Sequence, residues 1–274
     1  MTEQPSEKPP IAPITATHAE IFERFIFKPM REGGLAARNR AIAQYLEQLK
    51  LKPVYLQEHN PEFAAMRERL NTRPGLAIPN HPGHFDDFLF FNVLTRQDFA
   101  VMVNPNAYKF FCAVLGEERV LEIRTTPGEL RGQMRRAQSH IEGGGLLYLH
   151  PTGGDDAIYS PKAKDGLVFR DGVRFIMKHV LQPTDMVYSF WFDRSDIAKA
   201  AEERITPETN GPAIRDKDRI LTTVGIDQPT PIKIDEQYST AADWQKLIAT
   251  EPDRAAARRV LARHFQDQFA QKPE

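Results

Sequence analysis

An α/β fold is what this sequence predicts: a central, mostly parallel or mixed sheet flanked by helices, with a helical cap on its N-terminal side. Three observations carry the expectation. From Gly75 onward, short apolar runs of strand length alternate with longer stretches of helical character. Glycine and proline punctuate the joins, as in Pro82-Gly83 and Gly143-Gly144-Gly145. Before Gly75 the apolar positions recur instead at helical spacing.

In chain order, residues 1–17 are polar and rich in proline and read as a disordered tail rather than a signal peptide. Residues 18–72 form the expected cap. A helix from His18 to Met30 places Ile21, Phe22, Phe25 and Ile26 on one face, and Gly33-Gly34 breaks it. That face packs on the sheet domain, the alternatives being a membrane surface or an acyl-chain groove. A second helix spans Leu35 to Leu49 and is stopped by Pro53, and a third lies around Pro61 to Leu70. Residues 73–274 then make the α/β unit. Its expected strands are Gly75–Pro79, Asp98–Val103, Arg119–Arg124, Gly145–His150, Met186–Phe192 and Arg219–Val224. The helices between them are Asp86–Thr95, Asn106–Leu115, Pro127–Glu142, Phe169–Leu181 and Arg194–Glu203. Thr206 to Asp218 is a surface loop, Pro229 and Pro231 punctuate the run toward the C-terminus, and helices near Ala241–Ala249 and Pro252–Phe269 close the chain.

Composition removes several classes of function. The 36 basic and 37 acidic side chains nearly cancel, so no global field recruits nucleic acid. The single cysteine, Cys112, allows neither an intramolecular disulfide nor a cysteine-based zinc cluster, and its apolar setting reads as core. No apolar run approaches the roughly 20 residues that cross a bilayer. A cytoplasmic protein, with peripheral contact at the inner face of a membrane allowed, fits these facts.

Chemistry gathers in Pro79-Asn80-His81-Pro82-Gly83-His84-Phe85-Asp86-Asp87, a turn between two apolar runs. A strand that ends in such a turn is where α/β proteins commonly carry reactive groups. His81 and Asp86 suit a general-base unit, in which an imidazole takes the proton and a carboxylate orients it. The ordinary alternative is a turn histidine beside an Asp that caps the next helix. In a third arrangement His81, His84, Asp86 and Asp87 would be metal ligands, since imidazole and carboxylate together suit zinc, iron or manganese. For Asp87 alone, the first turn of a helix is a favourable place for a carboxylate.

Three further blocks come in order: Gly116 with Val120-Leu121-Glu122-Ile123-Arg124, then Leu147-Tyr148-Leu149-His150-Pro151-Thr152-Gly153-Gly154, then Phe169-Arg170-Asp171-Gly172-Val173-Arg174-Phe175. With Asn80 to Asp86 ahead of them, the series resembles the glycerolipid acyltransferase superfamily, which includes lysophosphatidic acid and glycerol-3-phosphate acyltransferases. The first block is similar to that family's Asn-His-x-Ser-x-x-Asp, and the second to its glycine and arginine-ended strand. The third stands where the family has Phe-Pro-Glu-Gly-Thr-Arg, and the fourth is similar to its Phe-Lys-x-Gly-Ala helix start. Met186–Phe192 takes the place of the last strand. The resemblance covers Arg73 to Asp193. It departs at the third block, where Thr152 replaces Glu, Gly154 a small polar residue and Asp155 the Arg.

This resemblance implies transfer of an acyl group from acyl-CoA or acyl carrier protein to a hydroxyl. The acceptor would be a glycerol-phosphate lipid precursor or a related lipid or small molecule. His81 would be the base and Asp86 its partner, with no metal and no cofactor beyond the acyl donor. Asn80, Pro151, Thr152 and Gly153 would line the substrate. By position, Arg124 at a strand end with Arg170 and Arg174 near a helix start would form an anion site for phosphate or coenzyme A, the alternative being ordinary surface or salt-bridged arginines. Lys162 and Lys164 would stand in for the missing arginine of the third block. Two other readings stay open: a metal-dependent hydrolase built on the His/Asp cluster, and a catalytically weakened relative that binds lipid or acyl carrier without turnover.

Overall fold

Successive side chains of a β-strand point to opposite faces, so a sheet apolar on both faces must be covered on both. The computed structural model of this chain, which describes residues 28–48, 51–81, 86–123, 127–153, 167–193 and 230–270, has this form. Its strands are β1 (Leu51–Tyr55), β2 (Gly75–Pro79), β3 (Phe99–Val103), β4 (Val120–Glu122), β5 (Leu146–Tyr148), β6 (Met186–Asp193) and β7 (Thr230–Thr240). They form one seven-stranded sheet in the order β1-β7-β6-β2-β5-β3-β4. Every neighbouring pair is parallel except β6 and β7, which run antiparallel. The expected mixed, mostly parallel sheet is thus observed.

Eight helices are described: α1 (Lys28–Gln48), α2 (Pro61–Thr72), α3 (Asp86–Val93), α4 (Pro105–Leu115), α5 (Pro127–Glu142), α6 (Asp171–His179), α7 (Ala241–Ala249) and α8 (Arg254–Ala270). Alternation along the strands divides the core in two. Ala77, Val101, Tyr148 and Phe190 face one cluster, filled by α1, α3 and α4. Leu76, Ile78, Leu147 and Val187 face the other, filled by α5, α6, α7 and α8. Cys112 is half-buried and packs at the border of the first cluster.

Three local expectations are corrected. Gly33-Gly34 does not break the first helix, since α1 runs through both. Each glycine costs a helix about 1 kcal/mol relative to alanine, and the buried Ala41, Ile42, Tyr45 and Leu46 of later turns hold α1 on the sheet. Pro53 ends no helix: it lies within β1, an edge strand, where a missing N–H is tolerated. Nor does Pro231 punctuate the run toward the C-terminus as expected. It belongs to β7, just before the Lys233 that opens the pairing with β6. Asp235 and Glu236, buried in β7, hid its strand pattern. Gln57 donates to Asp235 at 3.0 Å, and Arg67 pairs with Glu236, its Nε 2.8 Å from the carboxylate. The expected strand Arg219–Val224, the helix Arg194–Glu203 and residues 18–27 of the first helix lie outside the described residues.

At the entry to β2, a Cβ on Gly75 would run into the main-chain carbonyl of Met186 in β6. Gly75→Ala is therefore expected to cost about 1–3 kcal/mol, seen as a lower denaturant midpoint at unchanged slope. An unchanged midpoint would mean that β2 and β6 part there without cost.

Candidate active site

Parallel neighbours in a sheet end on the same side, and the ends of β2 and β5 are neighbours here. His81 comes two residues after β2, and His150 two residues after β5. The ladder continues past the strands, Leu149 N donating to Ala77 O at 3.1 Å. Two histidines far apart in sequence are thereby stacked, with ring centroids 3.8 Å apart and planes 28° from parallel.

Each imidazole has its own carboxylate from the first turn of α3. His81 Nδ1 lies 2.8 Å from Asp86 Oδ2, and Asp86 is fully buried. Since a carboxylate only accepts, Nδ1 carries the hydrogen and Nε2 the lone pair. His150 Nε2 lies 2.9 Å from Asp87 Oδ1, and the Tyr148 hydroxyl donates to the same oxygen at 2.7 Å. That hydroxyl is also 3.3 Å from His150 Nε2. Asp86 Oδ1 in turn accepts from the Asp87 N–H at 3.1 Å. The helix N-terminus adds its own preference for negative charge.

Burial by itself would raise the Asp87 carboxyl. The charge and hydrogen bond of His150, the nearby His81 and the Tyr148 hydroxyl outweigh it and hold Asp87 below the usual carboxylate range. Burial, then the charges of Asp87 and Asp86, push the Tyr148 phenol well above its ordinary value, so it remains a donor. An aromatic floor supports the cluster. Phe90 stacks on Tyr148 at 4.4 Å and meets Phe190 edge-on at 5.0 Å.

The remaining predicted residues sort by position. Asn80 is buried and clamps the end of β2 to β6: its amide donates to Phe192 O at 3.1 Å and its carbonyl accepts from Phe192 N at 2.7 Å. Pro151, Thr152, Gly153 and Arg170 come together beyond His150. Arg170 N donates to Pro151 O, and its Nε to Thr152 O, both at 2.8 Å. Gly153 has φ +67°, and a Cβ there would press on the Arg170 side chain at 2.9 Å. Arg174 pairs with Asp171 at 2.7 Å on the surface of α6. Arg124, Lys162, Lys164, His84, Gly154 and Asp155 lie outside the described residues.

His81, Asp86 and His150 each present a ligand atom within 4.8 Å of the others, a trio to which a metal ion is one conceivable visitor. Imidazole lone pairs lie in the ring plane, however, and two nearly parallel planes 3.8 Å apart do not converge on one point. The arrangement suits two proton-handling pairs better than a shared ion. Sequence reasoning gave His150 and the Tyr148 hydroxyl no role. The expected strand ran through His150, and the only local signal was a histidine followed by proline and a nearby glycine, as at His81.

The chain is thus an α/β protein whose central strand leads into a His-x4-Asp pair. Among solved structures it is similar to the 1-acyl-sn-glycerophosphate (LPA) acyltransferase PlsC from Thermotoga maritima, at 12% identity and a TM-score of 0.49 over 93% of this chain and 89% of that one. No family model and no curated protein matches the sequence. Among the described residues, no helix is long and apolar enough to cross a membrane.

Tyr148→Phe keeps the ring and removes one donor to Asp87. It is expected to cost about 1.5–3 kcal/mol at neutral pH. A carboxyl depressed by folding contributes stability above its unfolded pKa, near 3.9, and loses it as pH falls through the folded value. Denaturation of both proteins across this range should therefore show the difference narrowing below about pH 4. A difference independent of pH would mean that the hydroxyl does not serve the ionised form.

Proposed function

We propose that this chain is an acyltransferase that moves an acyl group from a thioester, acyl-CoA or acyl carrier protein, to a hydroxyl acceptor. The observation that carries the reading is the His81–Asp86 pair at 2.8 Å, its carboxylate fully buried and its imidazole 15% exposed at the tip of β2. The ends of parallel strands are where open α/β sheets receive their ligands.

The pair supports direct transfer. His81 Nε2 takes the acceptor's hydroxyl proton as the oxygen bonds to the thioester carbonyl carbon. The tetrahedral species collapses, the carbon–sulfur bond breaks, and the thiolate leaves with the proton that His81 returns. Ester and thiol are the products. Asp86 holds the tautomer and offsets the transient imidazolium charge, and no acyl-enzyme is needed. The acceptor fits a lipid precursor such as a glycerol phosphate or a related alcohol. Asp155, standing where the resembling family has arginine, favours an acceptor whose anionic group, if it has one, is held elsewhere. Asn80 would act through the strand end it fixes, and the Pro151–Gly153 turn with Arg170 would border the acceptor.

Thiol release from acyl-CoA and acyl carrier protein, followed with a panel of alcohols, tests this directly. His81→Ala should lower acceptor-dependent release by about 10²–10⁴-fold, and Asp86→Asn should lower it substantially while leaving the fold intact. Release that ignores the acceptor, or that survives His81→Ala, would overturn the mechanism. Release that depends on added metal would favour a hydrolase.

A further inference from the structure

The acyl transfer proposed for this site uses one His–Asp pair, yet the site contains two. Asp86 and Asp87 are adjacent on one helical turn and both buried, and each meets an imidazole, at 2.8 and 2.9 Å. The two imidazoles lie face to face at 3.8 Å. His150 Nε2 faces Asp87, while its Nδ1 is buried with no hydrogen-bond partner among the described residues. As a neutral ring, His150 donates through Nε2 and keeps a lone pair at Nδ1, which is where a proton would add.

We propose that His150 with Asp87 is a positioning pair for His81, and that the two stacked imidazoles accept a single proton between them. Two cationic rings at this separation repel each other, whereas one cation beside two buried carboxylates is well compensated. A proton held by His150 therefore leaves His81 neutral and able to act as a base. When His81 is the one that gains the proton, His150 stays neutral and Asp87 adds a second negative charge beside the new imidazolium. The titratable groups in contact with the rings include Asp86 and Asp87 from α3 and Tyr148 from β5. Arg170 lies one step further out, on the Thr152 carbonyl. Tyr148 stays neutral because its phenol is pushed well up, so of these described groups only the two carboxylates and the two imidazoles bear charge. Only the role of His81 as base rests on the acyl-transfer reading; the coupling itself does not.

Imidazole resonances of the full-length protein, followed by NMR against pH, test the coupling without any substrate. In the wild type, the His81 and His150 signals should each show two inflections, separated by at least about one pH unit. In His150→Gln, whose amide can still donate to Asp87, the second step should vanish. His81 should then carry more proton at any given pH, because its competitor is gone. The acid limb of kcat/KM for acyl transfer should move up by at least about half a pH unit, a shift that loss of packing alone does not produce. Independent single-step curves for the two histidines in the wild type would overturn the proposal, even if the variant does not fold. An unchanged His81 curve in a folded His150→Gln would overturn it as well. Two-step titration without acyl transfer would sink the proposed reaction and leave the coupling standing; single-step titration with full activity would do the reverse.

Discussion

Two carboxylates buried side by side on the first turn of one helix govern this site. Taking an ion out of water costs several kcal/mol unless partners replace the lost solvation. Asp86 and Asp87 recruit those partners from three directions: His81 from the end of β2, His150 and Tyr148 from β5, and the N-terminus of α3 itself. The demand is met only if β2, β5 and α3 keep these groups within hydrogen-bond reach. The placement of these three elements is thus tied to the geometry of five side chains.

The frame that supplies this precision is visible at both ends of the sheet. On the site's side, the Asn80 amide fixes β2 to β6 through both main-chain groups of Phe192. At the opposite end, the buried Arg96 donates to the carbonyls of Leu70, Arg73 and Gly144 and forms a two-pronged pair with Asp98. One guanidinium therefore gathers the end of α2, the entry to β2, the start of β3 and the turn before β5. With both ends fixed, each imidazole is oriented by its own carboxylate.

Much of this was legible in the sequence. The central strands Gly75–Pro79 and Met186–Asp193 and the helix Pro127–Glu142 arise from unbroken apolar runs or helical spacing with clear stops. Legibility failed where a local rule met a tertiary exception. Gly33-Gly34 looks like a break until the packing of α1 outweighs it, and Pro53 looks like a stop until an edge position excuses its missing donor. β7 was hidden because Asp235 and Glu236 are buried against Gln57 and Arg67, partners that sequence distance conceals.

The sequence by itself determined the alternation that makes an α/β sheet and the His-x4-Asp spacing that lets Asp86 reach back to His81, because both are short-range. Only the tertiary structure decided what stands against that pair. Placing β5 beside β2 in parallel brings His150 onto the face of His81 and turns Asp87 from a helix-end carboxylate into the partner of a second imidazole. Strand order is set by how the whole chain buries its two apolar faces. No local pattern around residue 81 or residue 150 encodes that neighbour, so the second pair becomes visible only when the sheet is assembled.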